Sequence, residues 1–529
     1  MTTLCATFQA TVAAHPDVVA LRAVGDERGI TYREYGERVQ RIATGLHALG
    51  VRAGDTVGLM LRNRPEFSLV DMAILHLGAV SFSVYNTSSA EQLAYLFGNA
   101  GNRVVITEEE FADTVRTVAS VDQFILIENL DELENTPSDL NFEASWKAVQ
   151  PEDLLTIIYT SGTTGPPKGV ELTHANIVAN SAAERDILVL PAGSRVLSYL
   201  PSAHAFDRIG MGYVAIDQAL ELISLADAKQ LGPALVATQP HLVAGVPRVW
   251  EKLHTALLAG IAAHPNREVI EAAIESGDDE VLGRLRAVVG LDQTRYAVVG
   301  AAPSAPHMLE FFAKIGLPLL EGWGMTESSC VSTFNRPGSH RFGTVGTAVR
   351  GIEIRLDTDG EVLLRGPQVM RGYRSDPERT AEVLTADGWL RTGDIGSLAD
   401  GYLSIVDRKK DLIINAAGKN MSPANIEATV KGASPLIDQV VCIGDRRPYN
   451  VALIVLDPVA TQGKPDLDTE IAAAIDQANA RLSRVEQIKR FTVLHHEWLP
   501  DSDELTPTSK LKRKPIAAKY ADLIDQLYA

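Results

Sequence analysis

Apolar and polar positions along this chain switch repeatedly between the helical period and the strand period. Residues 32–49 carry apolar side chains at helical spacing and stop at Gly50. Residues 56–61 form a short apolar run of strand character, 70–76 are helical up to Gly78, and 80–84, 104–107 and 124–127 read as further strands. Helix and strand in turn predict right-handed βαβ units built on parallel sheet. Residues 131–145 are polar and read as a surface excursion. Residues 154–158 read as a buried strand, followed by a hydroxyl- and glycine-rich turn and then a helix starting near Thr173, a suitable N-cap. The alternation continues to about residue 350.

From 351 the texture changes. Short strand-like pieces at 352–356, 361–364 and 402–406 are separated by Gly and Asp, the pattern of a small antiparallel barrel. The charged segment Asp407-Arg408-Lys409-Lys410-Asp411 then interrupts. Beyond it, a helix over 423–431, strands at 439–443 and 452–456 and a helix over 468–482 can close a small α+β unit. The fold class is α/β, with a domain boundary at the charged segment.

Composition narrows the function classes. With 46% hydrophobic and 22% charged residues among 529, the chain reads as globular, with little room for extensive disorder. It has no apolar run long enough to span a bilayer and no secretory signal at Met1-Thr2-Thr3-Leu4-Cys5. Three scattered cysteines form neither a metal spacing nor a disulfide framework, so a cytoplasmic location is expected. A net charge of −18 argues against nucleic acid as a partner, and an anionic substrate would need local positive charge. The run Lys510-Leu511-Lys512-Arg513-Lys514 is one source, although Lys512 to Lys514 read as a solvated face.

The richest chemistry lies in Tyr159-Thr160-Ser161-Gly162-Thr163-Thr164-Gly165-Pro166-Pro167-Lys168-Gly169-Val170. Glycines let backbone N–H groups converge on an anion, hydroxyls add donors, and one lysine adds a point charge. The common nucleotide-loop spacing is absent, since Gly165 and Lys168 are separated by two prolines. By itself the string could be an ordinary Gly/Thr turn. The full string resembles the phosphate loop of the adenylate-forming superfamily, which includes acyl-CoA synthetases, luciferases and peptide-synthetase adenylation domains.

Further segments match that superfamily in order. Val299-Gly300-Ala301-Ala302-Pro303 offers a backbone bare enough for an adenine ring, or a simple strand-to-helix turn. Glu321-Gly322-Trp323-Gly324-Met325-Thr326-Glu327 resembles the motif that stacks adenine and holds magnesium. Trp323 stands where most relatives have Tyr, so stacking should survive and the phenol hydrogen bond be lost. The resemblance puts Glu327 and Thr160 at the Mg²⁺, which suits hard oxygen ligands, and makes Thr326, Glu327 and Lys510 the catalytic set. Trp389-Leu390-Arg391-Thr392-Gly393-Asp394 resembles the ribose motif, with Arg408 reaching ribose or phosphate. Asp407 to Asp411 resembles the interdomain hinge, pivoting at Lys410; read alone it is an exposed charged turn. Leu505-Thr506-Pro507-Thr508-Ser509-Lys510-Leu511 resembles the catalytic lysine loop. Leu200-Pro201-Ser202-Ala203-His204-Ala205-Phe206-Asp207-Arg208 resembles the acyl-pocket segment, in which His204 gates the carboxylate or is structural. Gly245-Val246-Pro247-Arg248-Val249-Trp250-Glu251-Lys252-Leu253 is similar to a segment of the long-chain fatty acid–CoA ligase branch, in which Trp250 gates the tunnel or packs in the core. Many relatives carry a second lysine after the hinge; here Ile414 stands there, and Lys419 is off register.

The resemblance implies a large N-terminal domain of stacked α/β layers with a small β-barrel (1–406), a hinge (407–411) and a small mobile α+β C-terminal lid domain (412–529). It implies ATP-dependent activation of a medium- or long-chain fatty acid through acyl-AMP and transfer to CoA, with ATP, CoA and fatty acid as partners. A fatty acyl-AMP ligase or carrier-loading adenylation enzyme is the alternative acceptor chemistry, and a non-catalytic nucleotide sensor the alternative class. Peripheral membrane contact and oligomerisation are left open.

Overall fold

The computed structural model describes residues 2–160, 166–416, 419–499, 502–506 and 510–529. Two sheets form the large N-terminal part. The seven-stranded sheet runs in the spatial order Gly372–Tyr373, Lys168–Thr173, Leu154–Thr160, Val80–Ser83, Thr56–Met60, Val104–Thr107, Gln123–Leu126. Its last five strands are parallel, as the alternation predicts. Helix Pro65–His76 packs on its strand Val80–Ser83, and helix Tyr32–Ala48, which starts on a capping box between Thr31 and Glu34, packs on that helix.

Between the phosphate turn and the expected helix, Lys168–Thr173 is a strand that pairs antiparallel with Leu154–Thr160, with Thr160 opposite Lys168. The helix His174–Arg185 begins only after it, capped by Thr173 as expected. Lys168 is thus fixed by sheet register. The expected surface excursion likewise contains the short helices Leu130–Glu134 and Phe142–Ala148, with Glu134 accepting from Arg38 and Arg41.

The second sheet has thirteen strands. Its parallel half includes Tyr296–Gly300 and Leu319–Trp323 side by side. From Thr333–Phe334 onward the pairing is antiparallel, through Thr347–Ala348, Tyr402–Arg408, Leu390–Ala399, Glu361–Arg365 and Glu353–Leu356. This is the antiparallel block expected after 351. It is hydrogen-bonded into the large sheet at Gly322 and Trp323, so the adenine-side strand and the ribose-side strands belong to one surface.

Beyond residue 411 a separate core begins. The strands Ile437–Ile443, Asn450–Leu456 and Ile488–Leu494 form a sheet. Helices Pro423–Lys431 and Leu467–Asn479 cover one face through Ile426, Val430, Ile471 and Ile475. Helices Arg513–Lys519 and Ala521–Tyr528 cover the other through Ile516 and Ile524. Arg513 is not a solvated charge: it forks onto buried Glu427 at 2.6 and 2.7 Å, a pairing that a charge run in sequence does not reveal.

Candidate active site

The N-terminal face of the cleft is assembled from strand ends. Gly300 lies beside Gly322 in parallel register, and a Cβ on Gly300 would stand 2.9 Å from the Gly322 carbonyl oxygen, so the two backbones can approach only without a side chain. Ala301 follows in the left-handed region at φ +69°, a strained conformation for a non-glycine residue, and Ala301 and Ala302 are exposed. Gly300, Ala301 and Ala302 put only small side chains at this strand end.

Trp323 reaches across to the ribose side. Its indole N–H donates to an Asp394 oxygen at 2.9 Å, so a hydrogen bond from this position is present despite the loss of the phenol. The other Asp394 oxygen takes the Arg408 Nε at 2.6 Å, because Asp394 and Arg408 face each other across adjacent strands. Burial pushes the Asp394 carboxyl up, and Arg408, Trp323 and Lys510 oppose that push.

A second relay joins the phosphate hairpin to the metal-side carboxylate. Lys168 Nζ donates to the Tyr373 hydroxyl at 3.0 Å, and that hydroxyl donates to Glu327 Oε1 at 2.8 Å. Tyr373 and Glu327 are buried. Tyr373 is placed by the two-residue strand Gly372–Tyr373, which pairs with Lys168–Thr173. No motif had singled it out; its only sequence signal was a Gly-Tyr pair ahead of the Pro377 helix start. Thr160 ends the neighbouring strand. Ser161, Gly162, Thr163, Thr164 and Gly165 lie outside the described residues.

The C-terminal part supplies Lys510. Its backbone is tied to Thr506 by two bonds, Lys510 N–H to Thr506 Oγ1 (3.0 Å) and Thr506 N–H to the Lys510 carbonyl (2.8 Å). The residue keeps exposed surface in the open cleft, yet its ammonium is surrounded by protein. Desolvation first, then the Arg408 charge, bring it down to about 8, against the pull of Asp394 and Glu327. The same charge reaches His204, which burial and then Lys510 hold down at about 3. His204 Nδ1 accepts the Phe206 N–H at 3.2 Å, so its proton sits on Nε2 and the ring is a neutral donor. It is both a structural cap and a neighbour of Lys510.

Lys410, exposed on the hinge, is held down by desolvation and by Arg408 and Lys168. Four cations thus converge here, Lys168, Arg408, Lys410 and Lys510, against Glu327 and Asp394. In a chain of net charge −18, this is a local concentration of positive charge. The donor set fits Mg²⁺ as well, since the Glu327 carboxylate and the Thr160 hydroxyl are hard oxygens beside phosphate-binding cations.

One sequence candidate falls elsewhere. Trp250 is fully buried, edge-on to Phe312, with its Nε1 donating to the Val298 carbonyl at 3.0 Å. Packing is the role these contacts describe, and the tunnel-gate expectation gives way to it. Arg208 lies behind the cleft. It pairs with Asp71 and also donates to Tyr213, Thr156 and Ser81. That network pins the segment carrying His204 to the strand that leads into the phosphate loop.

Among the described residues no helix is long and apolar enough to cross a membrane. Relatives are plentiful. A Mycobacterium tuberculosis H37Rv protein provisionally named fatty-acid–CoA ligase fadD11 is 45% identical over 433 residues, covering 74% of this chain and 76% of that protein. The long-chain-fatty-acid–CoA ligase FadD15 of the same organism is 35% identical, covering 94% of this chain and 92% of its own length. The solved adenylation domain of a carboxylate reductase from Mycobacterium chelonae superposes with a TM-score of 0.82 at 24% identity, over 100% of this chain and 91% of that one. A model of the AMP-binding enzymes matches residues 8–374, and one of the AMP-binding enzyme C-terminal domain matches 410–529. The chain belongs to the AMP-binding enzymes, the adenylate-forming superfamily, whose members use ATP or AMP.

Proposed function

We propose that this protein is an AMP-forming acid–thiol ligase that activates a medium- or long-chain fatty acid and passes it to CoA. The observation that carries the reading is the meeting of Lys510, from beyond the hinge segment, with Arg408, Asp394, Glu327 and His204. In the first step a carboxylate oxygen attacks the α-phosphorus of ATP and the bond to pyrophosphate breaks, leaving acyl-AMP. Two anions must approach, and charge accumulates on phosphorus; Lys510 and Arg408 offset it. Asp394 accepts from the ribose hydroxyls, Trp323 supports the adenine, and His204 Nε2–H orients a carboxylate or phosphate oxygen. Glu327 and Thr160 would hold Mg²⁺, which supplies further charge neutralisation at the phosphates. In the second step the CoA thiol attacks the acyl carbon and AMP leaves.

The division into 1–406, a 407–411 hinge and 412–529 belongs to this reading. The lid turns about Lys410, withdraws Lys510 and opens the cleft to CoA. The fatty-acid assignment is supported by the names of the mycobacterial relatives. An apolar passage would hold the chain at ~0.8 kcal/mol per buried methylene. Unpaired Cys5, Cys330 and Cys442 support a cytoplasmic setting.

The test is AMP and pyrophosphate release with acids from acetate to eicosanoate, with and without CoA, in the wild type and in Lys510→Ala. AMP release that needs CoA, peaks at long chains and falls ~10²–10³-fold in the variant supports the reading. Pyrophosphate release that never becomes CoA-dependent turnover points to an acyl-AMP ligase, and full activity in Lys510→Ala overturns the site.

A further inference from the structure

The segment expected to line an acyl passage has a different outward face. Trp250 points into the core and fixes the start of helix Pro247–Ala263 to the strand that ends at Gly300. On the same first turns Arg248 and Glu251 turn the other way and meet residues from beyond the hinge. The Arg248 guanidinium pairs with Asp438, and with Asp457 at 3.1 Å. Lys431, the last residue of helix Pro423–Lys431, comes within 3.6 Å of Glu251. Asp438 lies on the first strand of the lid and Asp457 just after the second.

This dock is built to be specific. Asp457 also accepts the N–H groups of Val459 and Ala460 at 2.9 and 3.0 Å, which fix its carboxylate before the arginine arrives. Burial opposes ionisation of Asp457, but those amides, then Arg248 and Lys252, outweigh it and hold its carboxyl low. Gly432 lets the surfaces close: a Cβ there would stand 2.6 Å from His307 Cε1. The dock is also built to open. Arg248, Asp438 and Asp457 keep 27%, 14% and 19% of their side-chain surface exposed, so rehydration on separation is easy.

We propose that the Arg248–Asp438–Asp457 cluster, with Lys431–Glu251, holds the lid in the pose that presents Lys510. Arg248 is a positioning residue for the adenylation half-reaction and acts through Lys510. A turn of the lid at 407–411 carries Asp438, Asp457 and Lys431 away together and leaves Arg248 behind on the helix anchored by Trp250. The inference rests on the two-step function proposed above.

The experiment compares wild type, Arg248→Gln, and the swap Arg248→Glu with Asp438→Arg and Asp457→Arg. Acyl-AMP formation from dodecanoate and ATP is measured without CoA, and thioester formation from synthetic dodecanoyl-AMP and CoA is measured separately. Arg248→Gln should slow the first about tenfold, the effect of losing two partly exposed ion pairs together, and leave the second unchanged. The swap should recover most of the first. Equal slowing of both steps, no slowing of the first, or a folded swap with no recovery overturns the proposal. A readout independent of activity separates it from the functional reading. Spin labels at Val269→Cys and Val485→Cys, both at exposed positions, report the distance between the two parts. Arg248→Gln should shift that distribution and the swap restore it. An unchanged distribution overturns the dock, whereas wild type inert toward every acid with a distribution that still shifts overturns only the function.

Discussion

Two arginines in this protein bind carboxylates and do opposite jobs. Arg208 and Asp71 are 2% and 4% exposed, within one domain, and the hydrogen-bond partners of Arg208 belong to the same scaffold. Arg248 and its two acids are partly exposed and join segments on either side of the hinge. A buried charge pair is expensive to separate because each partner is left desolvated. A partly exposed pair can part into water with less penalty. The first arrangement suits geometry that must never change, the strand feeding the phosphate loop. The second suits the lid movement proposed above.

The sharpest way to break this comparison is Arg208→Met. Leaving the Asp71 carboxylate buried without its counter-charge, with the Tyr213 hydroxyl still donating to it, should lower unfolding stability by about 3–5 kcal/mol in denaturant titration. A loss below about 1 kcal/mol would mean that burial does not distinguish the two pairs. Next comes the pH limb of the delivered lysine. Lys510 has its ammonium pushed down to about 8, and only the charged form stabilises the transition state. Acyl-AMP formation should therefore be full below that value and decline as pH rises through it. Lys510→Arg should remove the decline, since a guanidinium does not titrate there; an alkaline limb that persists in Lys510→Arg assigns it to another group.

Tyr373→Phe probes the fixed side. Loss of the hydroxyl leaves Lys168 and Glu327 without their bridge, a deficit of about 1–1.5 kcal/mol. The half-saturating Mg·ATP concentration should rise several-fold with the thioester step from acyl-AMP untouched, and titration of both substrates checks this. The smallest expected change is the stability of Arg248→Gln, under about 1 kcal/mol by thermal melt. A larger loss would make the cluster a structural clamp.

Much of the site was legible because phosphate chemistry demands short, contiguous motifs. Glycines and hydroxyls around Lys168, an aromatic at Trp323 and carboxylates at Glu327 and Asp394 are local requirements, and a string of residues displays them. Long-range pairings were not legible. Tyr373 carries no motif of its own, and its role arises from pairing with the Lys168 strand. Trp250 reads equally as a gate or as core until Val298 and Phe312 are placed beside it. Arg513 looks like a surface charge until Glu427 is found buried beneath it.

The sequence alone determined the α/β alternation, the change of texture at 351 and the charged break at 407–411, and it supplied most of the residues proposed for the cleft. Each depends on periodicity or on chemistry within a few neighbouring positions. Only the tertiary structure decided that the strand starting at Lys168 pairs with Leu154–Thr160, that Trp323 donates to Asp394, and that the outer face of the Trp250 helix meets the segment beyond residue 411. Those outcomes depend on sheet register and on charges that face each other across roughly two hundred residues of chain. Hydrogen-bond direction and Coulomb attraction act through space, and a linear pattern does not encode which distant partner will be there.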